Sequence, residues 1–306
     1  MDRQFISFEN THGLTLKGML FRPTASVPND SVGFIYLPGI VLGALSVHRL
    51  GFKIARELSK HGFQMLLFDQ EGIGESEGSY PEGKHEAIAH WVAEGNLVNS
   101  TQEIIDWARA RYGMERVFLI GHCGGALTAS YCAADQVTVA GVVLISPPPL
   151  ATGTGKSDLV RKGVADEYYS LYLRKLLDPA AWKRLLSGGT SYQALVTVLR
   201  SKLTRIFSGA DGSSALGNNY NHRFVKAVEK ITRQQKTVEV IYGEKDPDIE
   251  EYRLFHNEYM NANTPLVILE NTSHGFTAET AQKKLLEQIG VFAQRVASQE
   301  DSREAS

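Results

Sequence analysis

Cysteine is scarce: Cys123 and Cys132 are the only two in 306 residues. Nine positions apart around one helix, they make no disulfide framework, so the chain reads as built for a reducing, cytoplasmic compartment. Excess charge is also missing. The 32 Lys and Arg against 34 Asp and Glu leave a net −2, which argues against nucleic acid as a partner of the whole chain. The opening residues, MDRQFISFEN, lack the basic-then-apolar pattern of a signal peptide, and no apolar run approaches the roughly 20 residues of a membrane span. His48, His85 and His90 have no metal-ligand company, so neither a metal nor a cofactor is expected.

What is present is organised around Arg116 to Ala126, RVFLIGHCGGA. Val117 to Ile120 is a short continuous apolar run ending in turn residues, the pattern of a parallel strand covered on both faces. Cys123 follows, with Gly121 and Gly125 two residues to either side, where a strand turns sharply into a helix and Cβ atoms would collide. Such a turn holds a nucleophile at a helix N-terminus, where unpaired N–H groups and positive potential favour a thiolate.

The rest of the chain alternates strand and helix. Gln4 to Phe8 and Leu14 to Phe21 read as an antiparallel hairpin around Asn10 to Gly13. Val32 to Leu37 is a strand ending in Pro38-Gly39, Gly51 to His61 a helix, and Gln64 to Phe68 a strand before the turn-rich loop Asp69 to Gly78. Ala87 to Arg111 has helical spacing, with Gly95 the point at which the helix would break. The elbow helix spans roughly Ala126 to Ala134, and Val137 to Ile145 is a strand that Pro147-Pro148-Pro149 ends.

Between Leu150 and Gln235 the period changes to helical stretches without strands, at Leu159 to Leu177, Ala180 to Leu186 and Tyr192 to Leu203. Residues 150–235 therefore read as a helical cap inserted into a core of 1–149 and 236–298. Strands resume at Val238 to Tyr242 and Leu266 to Leu269, with helices at Glu250 to Met260 and Ala278 to Ala297, and 299–306 reads as a disordered polar tail. The whole implies an α/β fold, a mostly parallel sheet with helices on both faces.

A thiol nucleophile needs a base, and the base an acid that fixes its tautomer. Cys123, Asp246 and His274 occur in that order, each just after a predicted strand, so loops at one edge of the sheet would bring them together. Asp248 rivals Asp246 across Pro247, and Asp246 is preferred for its Gly-x-x-Asp context. The backbone N–H groups of Gly124 and Ile40, with Val41 as the alternative to Ile40, would hold an oxyanion. His122 points to the opposite sheet face from its neighbours and reads as support, Asp69 as a tie for its own loop, and Cys132 as a buried apolar residue.

Through Gly121-His122-Cys123-Gly124-Gly125, Leu37-Pro38-Gly39, Asp69 to Gly78, Gly243 to Asp246 and Ser273-His274-Gly275-Phe276, the chain resembles the α/β-hydrolase family over about Val32 to Ala297. It departs in having cysteine where most members have serine, in which it is similar to dienelactone hydrolases, and Pro38-Gly39 where a His-Gly pair is usual. Tyr172 to Gly188 resembles the cap of hydrolases associated with exosortase systems. The resemblance implies an esterase or thioesterase working through an acyl-enzyme at Cys123. The alternatives are an acyltransferase resolving that acyl-enzyme with an amine, alcohol or thiol, and a binding module that has lost turnover.

Residues 151–210 carry ten Lys or Arg against four Asp or Glu in a chain of net −2. This is either a set of solvated helix faces or a landing place for an anionic acyl carrier, coenzyme A or a carrier protein. Tyr168 and Tyr172 are the candidate substrate-binding residues, lining an acyl pocket or packing the cap.

Overall fold

The computed structural model describes residues 1–24, 31–39, 46–81, 85–151, 220–261 and 264–304. The chain divides into two compact units, Met1–Ser157 with Tyr220–Ser306, and Asp158–Asn219. The second unit lies outside the described residues, and with it the expected cap helices, Tyr168 and Tyr172.

In the first unit the strands are β1 (Asp2–Glu9), β2 (Thr15–Arg22), β3 (Val32–Leu37), β4 (Gln64–Phe68), β5 (Arg116–His122), β6 (Val139–Ile145), β7 (Thr237–Gly243) and β8 (Leu266–Leu269). They form one sheet in the order β1-β2-β4-β3-β5-β6-β7-β8, antiparallel from β1 through β4 and parallel from there on. The helices are α1 (Ser46–Lys60), α2 (His85–Ala93), α3 (Val98–Tyr112), α4 (Gly124–Asp135), α5 (His222–Arg233), α6 (Ile249–Tyr259) and α7 (Glu279–Glu304). No helix among the described residues is long and apolar enough to cross a membrane.

Strand periodicity sorts the core into two layers. Along β5, Val117 and Leu119 face one cluster with α3, α4, α5 and α6, while Phe118 and Ile120 face a second with α1 and α7. The same alternation runs along β6, where Val142 and Leu144 oppose Val143 and Ile145. In the second layer Phe34, Phe118 and Phe292 pack at ring separations of 5.4, 5.9 and 6.4 Å, tying β3 and β5 to α7. Both faces of each central strand are therefore covered by apolar side chains, which explains why these strands are continuous apolar runs.

The connections position the site. From β3 the chain leaves through α1 to β4 on one side, and β5 returns on the other side of β3. That reversal falls at the C-terminal ends of β3 and β5, the usual ligand position in a doubly wound sheet. Pro38-Gly39 and Cys123 follow those two ends, with Leu37 in register with Gly121.

The helical stretch over 87–111 breaks where expected: Gly95 takes φ 83° and turns the chain between α2 and α3. Two expectations change. The expected insert, 150–235, is longer than the second unit. Helix α5 lies in the first, burying Phe224, Ala227, Val228 and Ile231 in the cluster that also holds α4. Finally, the tail from 299 is helical to Glu304. Val296 is buried one turn before Glu300, and Glu300 pairs with Arg116 at the start of β5.

Candidate active site

The turn from β5 into α4 is tight because its glycines leave no alternative. A Cβ on Gly121 would strike the Gly125 carbonyl and Ala126 Cα, and one on Gly125 would strike the Leu37 and Pro38 carbonyls. Cys123 between them takes φ 52° and ψ −119°, outside the conformations favoured by residues with a Cβ. The cost is offset by its backbone: the N–H donates to Ile145 O at 2.8 Å and the carbonyl accepts from Ala126 N–H at 2.9 Å. Cys123 is left half-buried, and Gly124 begins α4, where first-turn N–H groups lack intrahelical partners. Gly39 backs onto the elbow, so that a Cβ there would lie 3.6 Å from Cys123 Cβ. Ile40 and Val41 lie outside the described residues.

The loops after β7 and β8 are laced together. Glu244 N–H donates to Leu269 O at 2.9 Å, Lys245 N–H to Thr272 O at 2.9 Å, and Asn271 N–H to Glu244 Oε2 at 2.8 Å. Asp246 and His274, 28 residues apart, are thereby held face to face, with His274 Nδ1 donating to Asp246 Oδ2 at 2.9 Å. The Asp246 side chain is fully buried, whereas that of His274 is 24% exposed. The Cys123 side chain is near enough to His274 to act on the charge of its ring.

Asp248 contributes its backbone N–H to Asp246 Oδ1 at 3.0 Å, so the carboxylate that meets His274 is that of Asp246. Burial opposes ionisation of Asp246, yet the His274 charge and its hydrogen-bond donors hold its pKa below the usual value. For His274 burial pulls downward, but the Asp246 carboxylate and the Cys123 sulfur hold it well above the ordinary imidazole value. The three groups thus favour an ionised carboxylate beside a charged imidazole.

His122 supports this pair from beneath. Its ring lies 5.8 Å from that of His274, and its Nε2–H donates to the His274 carbonyl at 3.1 Å. Burial, with His274 beside it, pushes the His122 pKa down to about 4. The unfolded imidazole titrates near 6.5, so its contribution to stability is present above that pH and is lost as pH falls toward 4. The gap corresponds to roughly 3 kcal/mol. Chemical denaturation of the wild type should show stability falling over this interval, and His122→Asn should flatten that part of the curve.

Cys132 is buried on α4, with its thiol directed at Val98 O at 3.8 Å and its pKa raised by burial. Asp69 accepts from Glu75 N–H at 3.0 Å and Ser76 Oγ–H donates to its carbonyl at 2.6 Å, so it ties its own loop. Among the described residues no group of three or more His, Cys, Asp or Glu is arranged to hold a metal. One neighbour of the site had no sequence signal beyond a polar residue at a strand end: Ser146, whose hydroxyl donates to Asp246 Oδ2 at 2.6 Å.

Comparison with known proteins agrees with this architecture. The family model for serine aminopeptidase, S33, matches residues 44–195. The polyketide transferase grgF of Penicillium sp is 28% identical over 168 residues, and the match spans about half of each chain. Among solved structures, the Pyrococcus furiosus esterase Pf2001 superposes with a TM-score of 0.63 at 17% identity, covering 96% of this chain and 92% of the esterase. The α/β hydrolase GrgF from Penicillium sp. sh18 gives 0.59 at 18% identity, covering 96% and 99%. The chain has the α/β-hydrolase fold.

Proposed function

We propose that this chain is a cysteine-dependent acyl-transfer enzyme in which Cys123 carries the acyl group, His274 moves protons and Asp246 orients His274. The observation that carries the reading is the His274–Asp246 hydrogen bond, with the Cys123 sulfur among the groups that raise the His274 pKa. The Cys123 Sγ–H proton passes to His274 Nε2, the nitrogen left over by the Nδ1 bond to Asp246. The thiolate adds to the acyl carbonyl, giving a tetrahedral oxyanion held by the N–H groups of Gly124 and Ile40. Collapse breaks the bond to the leaving group, which departs with the proton from His274, and leaves a thioester at Cys123. Water, deprotonated by His274, then releases the acid and restores the thiol.

A second reading, transfer of the acyl group to an amine, alcohol or thiol, is favoured by one observation: the Penicillium relative is named a polyketide transferase. A thioester intermediate serves both, since it reacts readily with such acceptors. The excess of six basic residues in 151–210 further supports an anionic carrier, coenzyme A or an acyl carrier protein, as the donor. With an acyl coenzyme A as substrate, hydrolysis predicts free acid in unchanged yield when an amine or thiol acceptor is added. Transfer predicts that the acceptor adduct replaces the acid. A binding module predicts neither product.

A further inference from the structure

Ser146 ends β6 with φ 47°, a backbone region unfavourable to any residue with a Cβ, and it is completely buried. Its N–H is used by Ile241 O at 2.9 Å, which fixes the turn. A glycine would make that turn more easily, so the side chain needs its own account. The hydroxyl supplies it. Ser146 Oγ–H donates at 2.6 Å to Asp246 Oδ2, the same oxygen that accepts His274 Nδ1–H at 2.9 Å, while Oδ1 accepts the Asp248 N–H at 3.0 Å.

We infer that Ser146 is a positioning residue for the reaction, a fourth member of the catalytic series whose hydroxyl locks the Asp246 carboxylate as an anion in the rotamer that meets His274. The inference rests on the proposed acyl-enzyme chemistry. Ser146 touches neither nucleophile nor acyl group, so it acts only through Asp246. With one donor on Oδ1 and two on Oδ2, rotation of the carboxylate out of the His274 plane would break the Ser146 and His274 bonds together. The charge on Oδ2 is shared between hydroxyl and imidazole, which keeps His274 able to surrender its proton to a leaving group. Loss of the hydroxyl leaves a buried anion with one donor fewer, so Asp246 takes up a proton at higher pH.

Other titratable groups face Asp246: His274 from the loop after β8, His122 from the end of β5, Tyr242 from β7 and Asp248 in its own loop, with Cys123 beside His274 and Tyr242. The test therefore follows individual resonances as well as rates. Ser146→Ala and Ser146→Gly are compared with wild type, Gly being the variant that removes the hydroxyl while accepting φ 47° without strain. On a short-chain p-nitrophenyl ester, both should lower kcat about tenfold with KM within twofold, and move the acid limb of the pH profile upward. In NMR spectra the downfield Nδ1 proton of His274 should disappear at a higher pH in Ser146→Gly than in wild type, with the His122 ring protons reporting their own titration separately. An unchanged acid limb and an unchanged Nδ1 resonance in Ser146→Gly would overturn the inference. Failure of the acyl-enzyme reading would look different: iodoacetamide would not modify Cys123 ahead of Cys132 in wild type, whatever the NMR titration shows.

Discussion

Asp246→Asn is expected to lower kcat/KM by roughly 10³- to 10⁴-fold, and Asp248→Asn by no more than a few-fold. Three donors converge on the Asp246 carboxylate, from Ser146, His274 and the Asp248 backbone. An asparagine amide has one accepting atom and one donating group, so whichever way it turns its NH₂ must face a donor. If the oxygen stays on Asp248 N–H, the NH₂ meets Ser146 and His274 and forces the imidazole into the wrong tautomer. Asp248, in contrast, serves Asp246 through its backbone N–H, which the substitution leaves in place. Steady-state kinetics on one ester substrate decides between them. Equal losses in both variants, or a larger loss at Asp248, would move the acid to the other carboxylate. Asp246→Asn should also alter the acid response of the fold. The depressed pKa of Asp246 gives stability that is present above the ordinary carboxylate range and is lost as pH falls through the folded value, and the variant should not show that loss.

Cys123→Ala should remove at least about 10³-fold of kcat/KM, leaving only what binding and the oxyanion donors supply. Cys123→Gly should be as inactive and yet more stable than Cys123→Ala, by about 1 kcal/mol, because glycine relieves the φ 52° conformation that the elbow imposes. The strain is thus a feature of the nucleophile position, held by the hydrogen bonds to Ile145 and Ala126 and by glycines at 121 and 125 that admit no side chain. Cys123→Ser puts a hydroxyl in place of the thiol and removes the sulfur anion. The pKa of His274 should therefore fall toward its ordinary value, since Cys123 is one of the groups that raise it. Proton NMR of the His274 ring across pH checks this directly. A His274 titration unchanged from wild type would mean that sulfur and imidazole are not electrostatically coupled.

Much of this architecture was legible in the residues, for physical reasons that can be named. Strands β3, β4 and β8 match their apolar runs residue for residue, because Pro38, Asp69 and Pro265 bound those runs and leave little choice of ends. The elbow was legible because two glycines around a cysteine are otherwise wasteful, and each of them abuts backbone of a neighbouring segment. Helix α5 carries Phe224, Val228 and Ile231 at helical spacing, yet its membership of the core was hidden. Nothing local tells a helix that packs on α4 from one that belongs to an insert, when no strand separates them. The C-terminal extension of α7 was hidden for a related reason. Its residues are polar, and the partner of Glu300 is Arg116, 184 residues earlier in the sequence. Ser146 shows the same limit at the site itself. A serine before three prolines reads as the end of a strand, and its meaning depends on a carboxylate 100 residues further on.

The central claim, that one sulfur carries the acyl group, is tested most directly by intact-mass and peptide mass spectrometry after rapid quenching of the enzyme with an acyl thioester of N-acetylcysteamine. The account predicts one acyl group per chain, located on Cys123, absent from Cys132 and absent from Cys123→Ala. Turnover without any adduct at Cys123, or with the adduct on another residue and retained in Cys123→Ala, would contradict it.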